Sequence, residues 1–511
     1  MRDLLLGLDV GTTATKAIVY DTQGHVLASA SAGYEHGLSY PHAGWVEQEP
    51  GDLWRAVVEA IRSVATASRG HGRIVALSLS SQGGTLIPAG PGDRPLRPAI
   101  SWLDTRAEAA EGPALGRRWG EDWFYRKSGW WLAGGLPLQH LHWLRQHEPE
   151  TFAAAERFLF VNDLALARLC GEHCMDPSNA AITMLYGLEA ADWDPQLLEI
   201  AGIHRGQLSP IRPSGTPVGR LLPAVAAELG LSSDVAVVNG AHDQYCAALG
   251  AGVIDAGDVL LSCGTAWVML LCADHLVFDQ QQVFHPGPHV VGGRWGVLAS
   301  LPSAGAAIEW YVQNVLPGPE GPAEASAERY RWLNEGAARA PAGAQGLLFI
   351  PHLSGPWAPG AWLGLTLAHT KDALSRSVME GVAYEVKRLA ERAQDLGARL
   401  SSMKMVGGAA AALMGAVGAG VMLAGLVLPG RPVVIDYLPY VSSPPYIGGY
   451  LLFAAAAAVG LWPCATSGPC WGPRSLAVAY AASLAAVAAG LARLGGISAQ
   501  AALWSGGHAL Q

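Results

Sequence analysis

Hydrophobic and polar positions in this chain follow two alternating periods. An apolar run from Leu4 to Leu8 ends in Asp9-Val10-Gly11-Thr12-Thr13, and Ala17 to Tyr20 resumes as a second strand. Asp21-Thr22-Gln23-Gly24 supplies a hairpin turn, and Val26 to Ala30 a third strand of a meander. The period changes between Asp52 and Ala67, where Leu53, Ala56, Val57, Ala60, Ile61 and Val64 fall on one face of a helix. A further strand, Ile74 to Ser80, follows it. Antiparallel strands, then a helix, then a strand predict an α/β layout.

The same opening recurs half a chain later. Val235 to Val238 predicts a strand and Ala241 to Gly250 a helix. Asp258 to Leu271 then repeats strand, turn and strand about Gly264-Thr265. The recurrence predicts two related domains facing each other, divided between Ala251 and Gly257 into residues 1–252 and 253–511. Residues 316–322, rich in Pro and Gly, predict a surface loop. Asp372 to Leu396 predicts a long helix with Gly397 as its stop.

From about residue 405 the texture changes. After Lys404 the charged side chains are Arg431, Asp436, Arg474 and Arg493, and Gly407 to Gly430 and Ser475 to Ala492 carry none. Three readings stay open for this low-charge tail: membrane spans by length, small-residue helices buried in the second domain, or a stretch read in a shifted frame of a GC-rich gene. Its many Gly and Ala residues argue against lipid insertion.

Composition narrows the classes. A chain of 511 residues exceeds one ordinary core. With 50% hydrophobic and 15% charged residues, disorder is excluded. A net charge of −9 without a Lys/Arg block leaves no basic face for a nucleic acid. The cysteines, at 170, 174, 246, 263, 272, 464 and 470, form neither a C-x-x-C pair nor a zinc spacing. Their scatter suits buried thiols in a reducing compartment. Asp9 and Lys16 break the apolar N-terminus before a signal peptide could form, which predicts a cytoplasmic protein.

Several residue sets could carry chemistry. In Asp9-x-Gly11-Thr12-Thr13-x-x-Lys16, a tight glycine turn lets backbone N–H groups approach phosphate oxygens, and the threonine hydroxyls add donors. Asp9 beside it could hold Mg²⁺ through water; the plain alternative is a polar hairpin turn. Gly264-Thr265 offers a second such turn. Asp243, after an apolar strand, is placed to take a proton from an attacking hydroxyl or merely to cap a helix. Its neighbour His242 is a rival base or a packing residue. Gln82, Trp102, Asp104 and Gln244 make a candidate sugar wall, an indole face meeting C–H groups while amide and carboxylate receive hydroxyls. Against this stands a surface Asp104–Arg106 pair beside a core tryptophan.

Together these residues resemble the FGGY family of carbohydrate kinases over roughly residues 4–408. The matching elements run in family order. They are Asp9 to Thr13 with Lys16, Gly44 to Trp54, Arg97 to Arg106, Gly240 to Gln244, Leu261 to Thr265, Gly346 to Gly355, and Gly364 to Thr370 with Glu380-Gly381 beyond. The resemblance implies two actin-like (ribonuclease H-like) ATPase domains flanking a cleft. It implies ATP and Mg²⁺ as cofactors and phosphorylation of a hydroxyl of a small sugar, a ketopentose or similar, or a polyol. It further implies Asp243 as general base, Asp9 near the metal, and Gly11, Thr12, Thr13, Lys16, Gly264 and Thr265 around the phosphates. Gly407-Gly408-Ala409 would form the adenine-side turn. Closure of the cleft would exclude water.

Two departures stand out. Where family members follow the glutamine with larger substrate-reading residues, this chain has Gln82-Gly83-Gly84. After Gly408 the usual polar turn gives way to the featureless run Ala409 to Leu428, and Gly448 to Leu452 echoes the family's small-residue helix only loosely. A kinase-like protein that binds sugar or nucleotide without transfer, and a membrane-tethered protein, are the competing expectations. A homodimer is compatible with a large α/β enzyme, but no interface can be read from the residues.

Overall fold

A computed structural model describes residues 2–108, 111–132, 135–316, 323–353, 359–407 and the backbone of 434–437. The tail beyond that strand, residues 408–433, and most of the 316–322 loop lie outside the described residues, as do Gly408, Ala409 to Leu428, Gly448 to Leu452 and Ser475 to Ala492.

The first half opens with the expected meander: β1 (Asp3–Val10), β2 (Ala14–Asp21) and β3 (Val26–Gly33). Leu4 to Val10 are buried throughout, as a strand covered on both faces demands, and this explains its unbroken apolar run. Helix α1 (Pro50–Ala67) starts on a proline and buries the Leu53, Ala56, Val57, Ala60, Ile61 and Val64 stripe against the sheet. Strand β4 (Arg73–Ser81) returns parallel to β1.

A helical insertion follows that the sequence pattern did not announce. It includes α2 (Pro137–His147), α3 (Val161–Cys170) and α4 (Pro177–Ile182). Helix α3 is buried on nearly every side, so it carries no amphipathic stripe. The chain regains the sheet through β5 (Pro217–Arg220) and β6 (Ala236–His242), and α5 (Asp243–Gly250) leads out of it. The strand order is β5-β6-β4-β1-β2-β3, with β1, β4 and β6 parallel.

The second half repeats this plan. Strands β7 (Asp258–Cys263), β8 (Trp267–Ala273), β9 (His285–Pro288) and β10 (Trp295–Leu301) are antiparallel neighbours. Helix α6 (Ala304–Asn314) and the long α7 (Lys371–Asp395) follow. Helix α7 buries Val378, Met379, Val382, Val386 and Leu389 in the second core. Strand β11 (Ser402–Val406) pairs parallel with β7, and β12 (Val434–Tyr437) with β11. The order β9-β10-β8-β7-β11-β12 therefore reproduces the meander-plus-parallel arrangement of the first sheet.

Side-chain contacts tie the two halves together. Tyr125 donates its hydroxyl to the Phe284 carbonyl at 2.6 Å and accepts the Asp279 N–H at 2.9 Å. Trp130 stacks on His285 with ring centroids 4.3 Å apart. Among the described residues no helix is long and apolar enough to cross a membrane.

Candidate active site

In open α/β sheets, ligands gather where parallel strands end at their carboxyl termini. The residues singled out above lie there in both sheets. Asp9 is opposite Ser80, and Val10 opposite Ser81, while β6 sets His242 opposite Ser81 from the other side. Asp9 and Lys16 are cross-strand partners at the mouth of the first turn. That turn is closed by the Gly11 N–H, which donates to the Ala14 carbonyl at 3.1 Å. The Tyr34 hydroxyl holds it from behind by donating to the Gly11 carbonyl at 2.7 Å.

Two carboxylates share this corner. Asp9 is buried and accepts a hydrogen bond from Ser80 Oγ at 3.0 Å. Burial, and then the neighbouring Asp243 charge, push its carboxyl up to about 6, against the pull of Lys16 and Ser80. Asp243 is also pushed up to about 6 by burial, opposed by the Gln244 N–H groups and Lys16. It is the first helical residue of α5, and the N-cap position belongs to His242, which forms no side-chain cap. Asp243 is thus not a helix cap. Its Oδ1 has no hydrogen-bond partner, and neither does Gln244 Oε1.

His242 is 7% exposed. Its N–H donates to Ser178 Oγ at 3.0 Å, and Ser178 in turn donates to Asp176, the cap of α4. Burial lowers the imidazole to about 4, with Asp176 opposing, so the ring is neutral near pH 7.

The sugar wall is wired to the first turn. Gln82 Nε2 donates to Gln48 Oε1 at 2.9 Å, and Gln48 Nε2 donates to the Thr12 carbonyl at 2.9 Å. Thr85 Oγ1 donates to Gln82 Oε1 at 3.3 Å. Trp102 Nε1 donates to Thr12 Oγ1 at 3.0 Å, leaving the indole 44% exposed. Trp102 is thus no core residue. Asp104 corrects the expectation made for it. Its carboxylate is fully buried, accepts the Val46 N–H at 2.5 Å, and binds the Arg106 guanidinium through both oxygens at 2.8 and 2.9 Å. Arg106 also reaches Glu47 and lies 3.9 Å over the Trp45 ring. With both oxygens engaged, Asp104 shapes the loop that carries Trp102 and is not open to a sugar hydroxyl; the Asp–Arg pair is internal, not superficial.

The second turn is built by its neighbours. Gly264-Thr265 joins β7 to β8, and the Ala306 N–H near the start of α6 donates to the Thr265 carbonyl at 2.9 Å. A side chain at Gly305 would strike the Gly264 carbonyl at 2.0 Å. Gly407, at φ +107°, leaves the end of β11 so close to β7 that a Cβ would sit 2.4 Å from the Cys263 carbonyl. Gly264, Thr265, Gly305 and Gly407 therefore form one glycine-walled notch.

A family model for the N-terminal domain of FGGY carbohydrate kinases matches residues 4–250, and the C-terminal domain model matches residues 259–416. The chain belongs to the FGGY family of carbohydrate kinases. It is 30% identical over 417 residues to the xylulose kinase of Escherichia coli K12, covering 80% of this chain and 82% of that one. The gluconokinase of Bacillus subtilis is 28% identical over 395 residues, 76% of each chain. The crystal structure of a gluconate kinase from Lactobacillus acidophilus superposes with a TM-score of 0.79 at 26% identity, covering 90% of both chains. As an FGGY kinase the chain is an ATP-dependent phosphotransferase whose acceptor is an alcohol group of a small sugar or polyol.

Donor chemistry favours a hard cation at the first corner, where two carboxylates with raised pKa values lie near one lysine. Elsewhere among the described residues only Glu35, His36 and Asp52 come together as potential ligands, and Arg55 pairs with both carboxylates of that trio. The residues missed by sequence reasoning are Tyr34, Gln48, Thr85 and Gly305. Gln48 lay inside the Gly44 to Trp54 match, and Gly305 opens an Ala/Gly-rich helix start; Tyr34 and Thr85 had no local signal.

Proposed function

We propose that this FGGY kinase transfers the γ-phosphoryl group of Mg²⁺-bound ATP to a hydroxyl of a small sugar, a ketopentose or a related polyol, with Asp243 as general base. The observation that carries the reading is the unpartnered Asp243 Oδ1 in the same charged corner as Asp9 and Lys16. A raised but still titratable carboxyl is ionised at neutral pH and basic enough to accept the proton as the alcohol attacks. Gly11, Thr12, Thr13 and Lys16 would hold phosphate oxygens on one side, and Gly264 and Thr265 on the other, with Gly407 and Gly408 serving the adenine side. Asp9 would hold Mg²⁺ through water; the ion neutralises charge on the group being transferred. Trp102, Gln82 and Gln244 would orient the sugar.

Residues 1–252 and 253–511 would act as the two domains. A cytoplasmic location fits the buried free thiols of Cys170, Cys174, Cys246, Cys263 and Cys272 among the described residues, and a homodimer fits the size of the enzyme. Neither a membrane tether nor loss of transfer is favoured by any described residue. The test is ADP formation with D-xylulose, D-ribulose, xylitol, glycerol and D-gluconate. Sugar-dependent ADP release abolished in Asp243→Asn supports the assignment; no acceptor-dependent release by the wild type refutes it.

A further inference from the structure

The glycines at 83 and 84 leave the pocket without the side chains that would read a substrate from β4. The space is not empty. A Cβ built on Gly83 would lie 2.7 Å from His242 Cδ2, 3.0 Å from His242 Nε2 and 2.9 Å from Ile182 Cγ2. The imidazole therefore occupies the volume that a residue-83 side chain would need, and only glycine there admits it. At Gly84 the nearest atoms are Trp102 Cβ at 3.5 Å and Pro137 Cδ at 3.8 Å. The atoms nearest the two glycines thus belong to Trp102, Pro137, Ile182 and a neutral His242.

The histidine is held for a purpose its own contacts do not exhaust. Its side chain is 9% exposed, and Nε2 stands 3.2 Å from Asp243 Oδ1 without the alignment of a hydrogen bond. Nδ1 has no partner either. A neutral imidazole offers one donor and one acceptor, and leaving both unused while buried is costly. Ser178, itself bonded to Asp176, holds the backbone N–H of residue 242, and the Tyr245 ring, with its centroid 5.9 Å away, flanks the imidazole from the protein side. The spacing between Nε2 and Oδ1 is close to that between oxygens on adjacent carbons.

We propose that His242 is the specificity-determining residue of the acceptor pocket: it binds the hydroxyl next to the one that Asp243 deprotonates, in the volume vacated at Gly83, so that the enzyme selects a neutral vicinal diol. This rests on the kinase reading and deepens it. Aldonates are disfavoured because a carboxylate would add a third negative charge beside Asp9 and Asp243, which already share Lys16.

The experiment uses the full chain and the best neutral acceptor from the panel of D-xylulose, D-ribulose, xylitol and glycerol, together with its analogue lacking the neighbouring hydroxyl. His242→Ala raises the acceptor KM by roughly 10- to 100-fold, with the ATP KM within about twofold and His242→Asn recovering part of the loss. The deoxy analogue, poor with the wild type, suffers no further loss in His242→Ala, because the same hydrogen bond has already gone. Gly83→Met alone lowers the melting temperature, and adding His242→Gly restores it and shifts the preference among the acceptors. Independent penalties from the variant and the deoxy analogue, an unchanged acceptor KM, or D-gluconate as the best acceptor would each overturn the proposal while leaving the kinase assignment standing. Absence of any phosphorylation by the wild type would remove the kinase assignment itself.

Discussion

Replacing Asp243 with asparagine separates what the carboxylate does for catalysis from what it costs the fold. The side chains are nearly isosteric, so packing against Gln244 is kept while the proton acceptor is removed. A positioned general base contributes about 10²- to 10⁴-fold to rate, and kcat should fall by that amount with the acceptor KM changed little. Stability should move the other way. The Asp243 carboxyl is displaced from 3.8 to about 6, a change equivalent to about 3 kcal/mol against the ionised form. Because 28% of the side chain reaches solvent, roughly 1–2 kcal/mol is the better expectation. For an acid with a raised folded pKa, this penalty is fully present above pH 6 and disappears below its unfolded value. Asp243→Asn should therefore be more stable than the wild type at pH 8, and the two should converge near pH 4. Removing the Asp243 charge should also let the Asp9 carboxyl fall. Coupled ADP release at saturating sugar and urea unfolding at both pH values read these effects. A kcat within tenfold of the wild type, or lower stability at pH 8, would refute the reasoning.

Three further outcomes follow from the same geometry. With Asp9 and Asp243 each near 6 and each raised, kcat/KM should be full above that pH and fall as pH drops through it; the slope should exceed one proton, since the carboxylates titrate as a pair, and a flat profile from pH 5 to 8 would contradict this. Gly407→Ala forces a methyl group into the Cys263 carbonyl at a positive φ; about 2 kcal/mol of stability should be lost and the ATP KM raised, read by thermal melts and nucleotide titration. Trp102→Phe removes the 3.0 Å bond to Thr12 Oγ1 and should raise both ATP and acceptor KM by roughly 2- to 10-fold, an effect on neither counting against the link between wall and turn.

The elements nearest the site were legible because their constraints are local. Leu4 to Leu8, Ala17 to Tyr20 and Val26 to Ala30 each fall inside the observed β1, β2 and β3, and the stripe from Leu53 to Val64 is the buried face of α1. The helix predicted from Ala241 begins two residues later in the structure, because the helix preference of alanine is overridden there by strand pairing. Pairing with β4 keeps Ala241 and His242 extended, and helix begins only at Asp243. The insertion escaped notice for a related reason, since a helix enclosed by its neighbours, like α3, shows no period. The fate of Asp104 was hidden by distance along the chain. Its partners include Val46, and Glu47 joins through Arg106, so only the folded loop reveals that the carboxylate is already engaged.

The position of Asp243 depends on both halves of the molecule. Asp243 opens α5, whose Tyr245, Ala247 and Ala248 pack with Leu260, Leu270, Cys272 and Leu298 of the second sheet. Val406, the residue before Gly407, lies against the same cluster. One apolar block thus carries Asp243 at one end and borders the glycine notch at another. Behind Asp243, His242 still belongs to the first sheet, fixed by β4 and Ser178. At residues 242 and 243 the chain consequently passes from extended backbone in the first sheet to a helix that packs on strands of both sheets, and this double packing fixes the direction in which Asp243 leaves the strand.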